Sequence, residues 1–316
     1  MPSNAIAAPP PPPDTGAGDA AAHRRRRHRA ALALLWLVPA VWSSNYLIAR
    51  CAGPHVPPHV LAFGRWGIVC VLLLAVSART IAADPRRLVA EWRRSLLLGA
   101  FGMWICGAWV YLGGHTTTAT NIALIYAAAP VGIALGGAHL LGERLTTAQH
   151  IAMPLALAGV LLVVARGDPA SLLAVRFTAG DLWIVAATLS WIAYSLLLQH
   201  WRSRLTATER LCCMAAGGLV VMAPFAAWEL ATLARPLDVR AAQLIVLAAL
   251  LPGLVSYLAY GFMQRELGVA RAGLVLYLAP IYGAGLAWWI LGEAPQWYHG
   301  VGALLILPSI HFATRR

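Results

Sequence analysis

Ala129-Pro130 opens a nearly uncharged apolar run that closes on Leu141-Gly142-Glu143. The same design returns 150 residues later, from Ala279-Pro280 to Leu291-Gly292-Glu293. Matching signals at one fixed offset in a long apolar chain indicate a duplicated membrane unit. A proline inside a helix removes one backbone hydrogen bond, here freeing the carbonyls of Tyr126 and Leu276. Helices broken at matched positions in two halves point to a site or a hinge, which makes Pro130 and Pro280 candidate hinge residues. Glu143 and Glu293 stand at the ends of the runs, where water reaches them, and are expected to act as gate or hairpin residues. His139, one turn before Glu143, is a candidate partner for it.

The rest of the chain agrees with a membrane location. Of 316 residues, 60% are hydrophobic and 11% charged, whereas soluble domains carry roughly a quarter charged residues. The net charge of +12 would suit nucleic acid, but its placement excludes that partner. All 24 basic residues are Arg, and they gather in the short segments between apolar runs, as expected for residues that set membrane orientation. Five cysteines (Cys51, Cys70, Cys106, Cys212 and Cys213) follow neither a metal-ligand spacing nor a disulfide framework. No metal and no cofactor are expected.

Residues 1–29 form a Pro/Arg-rich segment, from the Pro9–Pro13 run to Arg24-Arg25-Arg26-Arg27-His28-Arg29, read as a disordered cytoplasmic tail with a basic anchor. A basic block before an apolar run also opens a signal peptide. The following run is long, however, and carries Pro39, Trp42 and Asn45, so it is expected to be retained as a first span.

Apolar runs fall near 30–49, 58–78, 95–114, 117–141, 147–165, 179–199, 209–228, 241–263, 269–291 and 297–312. Each is continuously apolar rather than amphipathic, as helices in lipid are. Prolines occupy the gaps, and no gap is long enough for a soluble domain. If the gaps alternate between two sides, eighteen Arg lie on the side of the termini and five on the other, with Arg65 alone inside a run. That asymmetry predicts both termini in the cytoplasm. Five spans per half invert the second half relative to the first. The expected fold is an all-α integral membrane protein of ten transmembrane helices in two inverted five-helix repeats, 30–165 and 179–312.

Trp42-Ser43-Ser44-Asn45-Tyr46, then Pro58 and Leu61 leading to Arg65, resemble the opening of a bacterial EamA-type member of the drug/metabolite transporter superfamily. The segments at 130–143 and 280–293, and Gly180-Asp181 leading to Ser190-Trp191-Ile192-Ala193-Tyr194, are similar to that family as well. The resemblance spans residues 32–312 and leaves out the tail. It implies a multi-pass bacterial inner-membrane transporter, with a central cavity lined by spans one, three, four, six, eight and nine. Members export amino acids and other metabolites. Expected partners are a small-molecule substrate and the lipid bilayer, with a homodimer left open. An integral-membrane enzyme would need clustered His, Asp, Glu or Ser within the spans, and the span interiors offer almost none. A membrane scaffold would need longer gaps.

Polar and aromatic residues that share one helical face point to a cavity. Trp42, Asn45 and Tyr46 stand at i, i+3 and i+4. Thr188, Trp191 and Tyr194 form a stripe on span six; Gly253, Tyr257, Tyr260 and Gln264 form one on span eight. In span three, Trp104 and Tyr111 share a face that Trp109 does not. Trp42, Asn45, Tyr46, Trp191, Tyr194, Tyr257 and Tyr260 are therefore the substrate-binding candidates. Trp36, Trp288, Trp289, Trp297 and Tyr298 fit interfacial belting instead.

Arg65 has two available roles. A charge within a span costs about 2.5–3.5 kcal/mol on insertion scales and normally faces protein or water. It can anchor a substrate carboxylate or phosphate, or bond to neighbouring helix carbonyls. Span two is not among the cavity-lining helices that the resemblance implies, so a structural intramembrane charge is the expectation.

Overall fold

The apolar runs separated by proline and glycine become helices in a computed structural model that describes residues 15–53, 55–114, 116–232, 237–292 and 294–314. We label the long segments α1 (Thr15–Ala52), α2 (Pro58–Ala83), α3 (Trp92–Gly114), α4 (Asn121–Leu140), α5 (Thr147–Val164), α6 (Ala179–His200), α7 (Ala207–Thr232), α8 (Val239–Leu267), α9 (Val269–Ile290) and α10 (Trp297–Thr314). Segments α2 to α9 are long and apolar enough to cross a membrane. No strand occurs among the described residues.

Local chemistry sets the starts. Thr146 and Gln149 form a reciprocal capping box at α5, and Thr178 and Asp181 form one at α6. Asp238 accepts the Ala241 N–H at the start of α8, and Pro58 occupies the first turn of α2, where no N–H is needed. Both Leu-Gly-Glu signatures end their helices on a left-handed glycine: Gly142 has φ of 67° and Gly292 of 70°. A side chain bearing Cβ is strained there, which is why glycine follows the helix end at both positions.

The duplicated prolines interrupt their helices as expected. Pro130 opens the helix Ala129–Leu140 after a turn at Ala127 and Ala128. Pro280 opens Ala279–Leu291 after a tight 3-10 stretch over Leu274–Leu278. A second matched irregularity was not visible in the sequence: widened π-helical turns occupy Ala100–Ile105 in α3 and Ala249–Val255 in α8.

Packing pairs the helices in a regular way. α1 lies against α8 and α9, while α6 lies against α3 and α4; α2 meets α8, while α7 meets α3. The pairs α2–α7, α4–α9 and α5–α10 complete the pattern. Moving five places along the chain maps this set of contacts onto itself. Glycines let the backbones approach, since small residues rather than a hydrophobic driving force permit close packing in lipid. A Cβ on Gly132 would stand 2.4 Å from Ile192, and one on Gly136 would stand 2.3 Å from Leu196.

The interhelical segments also sort into two groups. At one end, Arg27 pairs with Glu266 at 2.6 Å, Ser203 Oγ donates to Glu91 at 2.7 Å, and Glu143 meets Val269. At the other, His55 meets Asp238 at 2.7 Å, His59 meets Glu229 at 2.6 Å, and Asn121 donates to the Arg176 carbonyl at 2.9 Å.

The basic block differs from the expectation of a disordered tail. From Thr15 onward it is helical and continuous with α1. Ala and Arg are both strong helix formers, and Arg27 is held by Glu266 and lies over the Phe262 ring. Residues 1–14 lie outside the described residues.

Candidate functional site

Five of the seven substrate-binding candidates meet in one aromatic cluster formed by α1, α6 and α8. Trp42 stands edge-on to Trp191, with ring centroids 5.4 Å apart, and 5.3 Å from Tyr260. Trp191 lies 5.3 Å from Tyr194, 5.7 Å from Tyr257 and 5.2 Å from Tyr260. The helical stripes chosen for sharing a face therefore converge on one another. Asn45 is half-buried on the same helix as Trp42, and its Oδ1 has no hydrogen-bond partner among the described residues. The side chain of Tyr46 lies outside the described residues.

Hydrogen bonds orient the tyrosine rings. Tyr257 OH donates to the Gly102 carbonyl at 2.5 Å, inside the widened turn of α3. Such turns often mark functional sites in helices. The ring of Tyr194 covers Gly102 so closely that a Cβ there would fall 2.5 Å from it. Tyr260 OH is 3.0 Å from Ser195 Oγ, and Gln264 Nε2 donates to the Ser195 carbonyl at 3.2 Å. Thr188, on the α6 stripe, bonds within its own helix to Ile184. The cluster is closed in this conformation, with Tyr194 and Tyr260 fully buried.

Trp66 and Ser195 belong to this centre and were not candidates from the sequence. The Trp66 ring stands 4.8 Å from Tyr257; the only signal was its place beside Arg65. Gly102 acts through its carbonyl, which no residue pattern reveals. Trp104 turns elsewhere, stacking on Phe225 of α7 at 4.8 Å and meeting Trp109 edge-on. Trp288, Trp289 and Trp297 are exposed, as expected of an interfacial belt.

Of the hinge and gate candidates, Pro130 is buried, and Ser43 Oγ of α1 donates to the Ala279 carbonyl beside Pro280 at 3.5 Å. Glu143 accepts the N–H groups of Val269 and Ala270 rather than a bond from His139, which is exposed. Glu293 lies outside the described residues. The buried pair His59–Glu229, in which Glu229 also accepts the N–H groups of His59 and Val60 at 2.8 and 3.0 Å, left no signal in the sequence. His59 directly follows Pro58 and Glu229 ends an apolar run, so each resembled an ordinary helix-end residue. Outside the spans, the Ala241 N–H, followed by the His55 ring, holds the Asp238 carboxyl below the usual carboxylate range.

Among the described residues, eight membrane-length apolar helices around a hydrogen-bonded aromatic centre define a polytopic membrane protein. The profile of the EamA-like transporter family matches residues 29–165 and again 178–315. The chain belongs to that family. It is 28% identical to a protein of Streptantibioticus cattleyicolor named "Probable terminal-alkyne amino-acid exporter", over 89% of this chain and 95% of that one. It is 23% identical to an "Uncharacterized transporter" of Archaeoglobus fulgidus, over 90% and 96%. A Salmonella typhimurium protein named "Probable amino-acid metabolite efflux pump" is 24% identical, over 88% and 92%. A solved crystal structure shares the fold with a TM-score of 0.73 at 20% identity, covering 90% of this chain and 96% of the other.

Proposed function

We propose that this protein exports a small amphipathic metabolite, such as an amino acid or a relative of one, from the bacterial cytoplasm by alternating access. The observation that carries the reading is the aromatic centre itself: Trp42 comes from the first half of the chain, and Trp191, Tyr257 and Tyr260 come from the second. A site shared between two halves changes its exposure when one half rocks against the other. Aromatic walls tipped with a few hydrogen-bonding groups suit a neutral or zwitterionic solute better than a multiply charged one. The relatives named as amino-acid exporters favour the same class of cargo.

Two inverted repeats, 30–165 and 179–312, are the moving parts in this reading. Support comes from the contact pattern that repeats five helices along, and from the matched prolines, glycines and widened turns. The two groups of interhelical contacts agree with ten spans whose gaps alternate between sides. The Arg asymmetry then orients both termini to the cytoplasm in the inner membrane. Purified protein in proteoliposomes, assayed against a panel of labelled amino acids and other metabolites, tests the proposal. Gradient-dependent movement of at least one small amphipathic solute is expected, and movement of none rejects it.

A further inference from the structure

Arg65 is 5% exposed on α2, and its Nε has no hydrogen-bond partner among the described residues. No carboxylate among those residues pairs with it. A buried cation in a low-dielectric site is stable only when an anion or hydrogen-bond acceptors meet it. The bonding to neighbouring helix carbonyls expected of a structural arginine does not reach its Nε.

The surroundings have the form of a subsite. The guanidinium lies against the Trp66 ring, 5.1 Å from its centroid, and the buried Trp66 Nε1 is also without a partner. Both groups face Gly107 of α3. A Cβ there would come 2.9 Å from Arg65 Nη2 and 4.0 Å from Trp66 Nε1, so only a glycine lets the guanidinium lie this close to the α3 backbone. Tyr111 stands one turn beyond Gly107 on the same face and beside Asn45. Asn45 Oδ1 is buried and without a hydrogen-bond partner too, and the buried Tyr111 OH lies against the Asn45 amide. Tyr257 connects this group to the aromatic centre through Trp66 on one side and Trp191 on the other.

We propose that Arg65 and Trp66 Nε1 form the carboxylate-binding subsite of the transport site. The acceptors Asn45 Oδ1 and Tyr111 OH receive an adjacent ammonium, so the preferred substrate is an amphipathic α-amino acid with its apolar side chain on Trp42, Trp191 and Tyr257. The proposal rests on the exporter reading and adds the charge that the substrate must carry. A guanidinium binds a carboxylate through two parallel N–H bonds, which an amide cannot reproduce. The uncompensated positive charge also repels amines that lack the carboxylate.

Proteoliposome transport of leucine, methionine and phenylalanine, each beside its own carboxamide, tests the subsite. Wild type is expected to move one or more of the acids about tenfold or more faster than the matched amide, the size of one charge-assisted hydrogen bond. Arg65→Gln should erase that preference by slowing the acid and not the amide, and Arg65→Lys should retain part of it. Gly107→Ala, which keeps the charge and crowds the space, should reduce acid transport and carries the test if Arg65→Gln does not fold. A well-folded Arg65→Gln protein that still prefers acids overturns the subsite, as does Gly107→Ala with undiminished acid transport. Movement of amides but not acids overturns the subsite and leaves the exporter reading standing. Movement of neither, while another solute of the wider metabolite panel moves, overturns the subsite and leaves the exporter reading standing; movement of nothing in that panel rejects both.

Discussion

Glu143, just beyond the end of α4, accepts a hydrogen bond of 2.8 Å from the backbone N–H of Val269 at the start of α9, and a second of 3.1 Å from Ala270. A carboxylate at a helix N-terminus satisfies N–H groups that have no partner within the helix and complements the helix dipole. Here the carboxylate and the helix come from opposite halves of the chain, 126 residues apart. The carboxylate thus joins the two halves at one end of the bundle.

Loss of the charge should loosen that joint. Charge-assisted hydrogen bonds of this kind contribute about 1.5–3 kcal/mol, so Glu143→Gln is expected to slow turnover while leaving substrate binding in place. Gly268→Ala should act in the same direction. Gly268 has φ of 88°, and a Cβ there would meet Glu143 Oε1 at 2.9 Å. Turnover in proteoliposomes and equilibrium binding in detergent are the two measurements. Loss of binding by Glu143→Gln in a folded protein would place Glu143 in the substrate site instead.

The aromatic centre makes a separate prediction. Trp191 is 6% exposed and touches four rings. Trp191→Ala therefore opens a cavity and costs about 3–5 kcal/mol of stability in addition to its effect on the site. Trp191→Phe and Asn45→Ala are cleaner probes, and each should weaken transport with little change in thermal stability. Normal transport by both would remove these side chains from the substrate path.

Tyr194 is buried in this conformation, under the Gly102 backbone. In a background without the native cysteines, Tyr194→Cys should resist a small polar thiol reagent in the closed state. It should react when a substrate gradient drives turnover, and saturating substrate should protect it. Equal labelling under all conditions would show that position 194 does not change its exposure during transport.

Orientation is checked by reporter fusions at residues 90 and 234, which the alternation of ten spans assigns to the cytoplasmic and the outer side. Activity in opposite compartments is expected. One shared compartment would require a different number of spans between them.

At the end where α2 begins, Glu229 holds His59 Nδ1 at 2.6 Å together with two backbone N–H groups. Breaking a buried pair by removing one partner costs about 3–5 kcal/mol. Glu229→Ala should therefore lower the melting temperature in detergent clearly, and more than His59→Ala, which leaves the two backbone bonds intact. An unchanged melt for Glu229→Ala would mean that this contact adds nothing to stability.

Hydropathy, proline spacing and the 150-residue recurrence were sufficient to place the eight membrane-length helices from Pro58 to Ile290 and to single out Trp42, Trp191, Tyr194, Tyr257 and Tyr260, because lipid demands satisfied backbones and apolar surfaces along the whole length of a span. A polar or aromatic stripe on such a helix therefore stands out against a uniform background. The helical basic block, the Glu143 and Glu229 contacts, the widened turns and the grouping of Arg65, Trp66, Gly107 and Tyr111 were decided in three dimensions. Each depends on which backbone N–H, carbonyl or ring a distant segment brings within a few ångströms, and periodicity along one helix contains no information about its neighbour. A carboxylate at the end of a span reads the same in sequence whether it faces water or caps a helix from the other half of the chain.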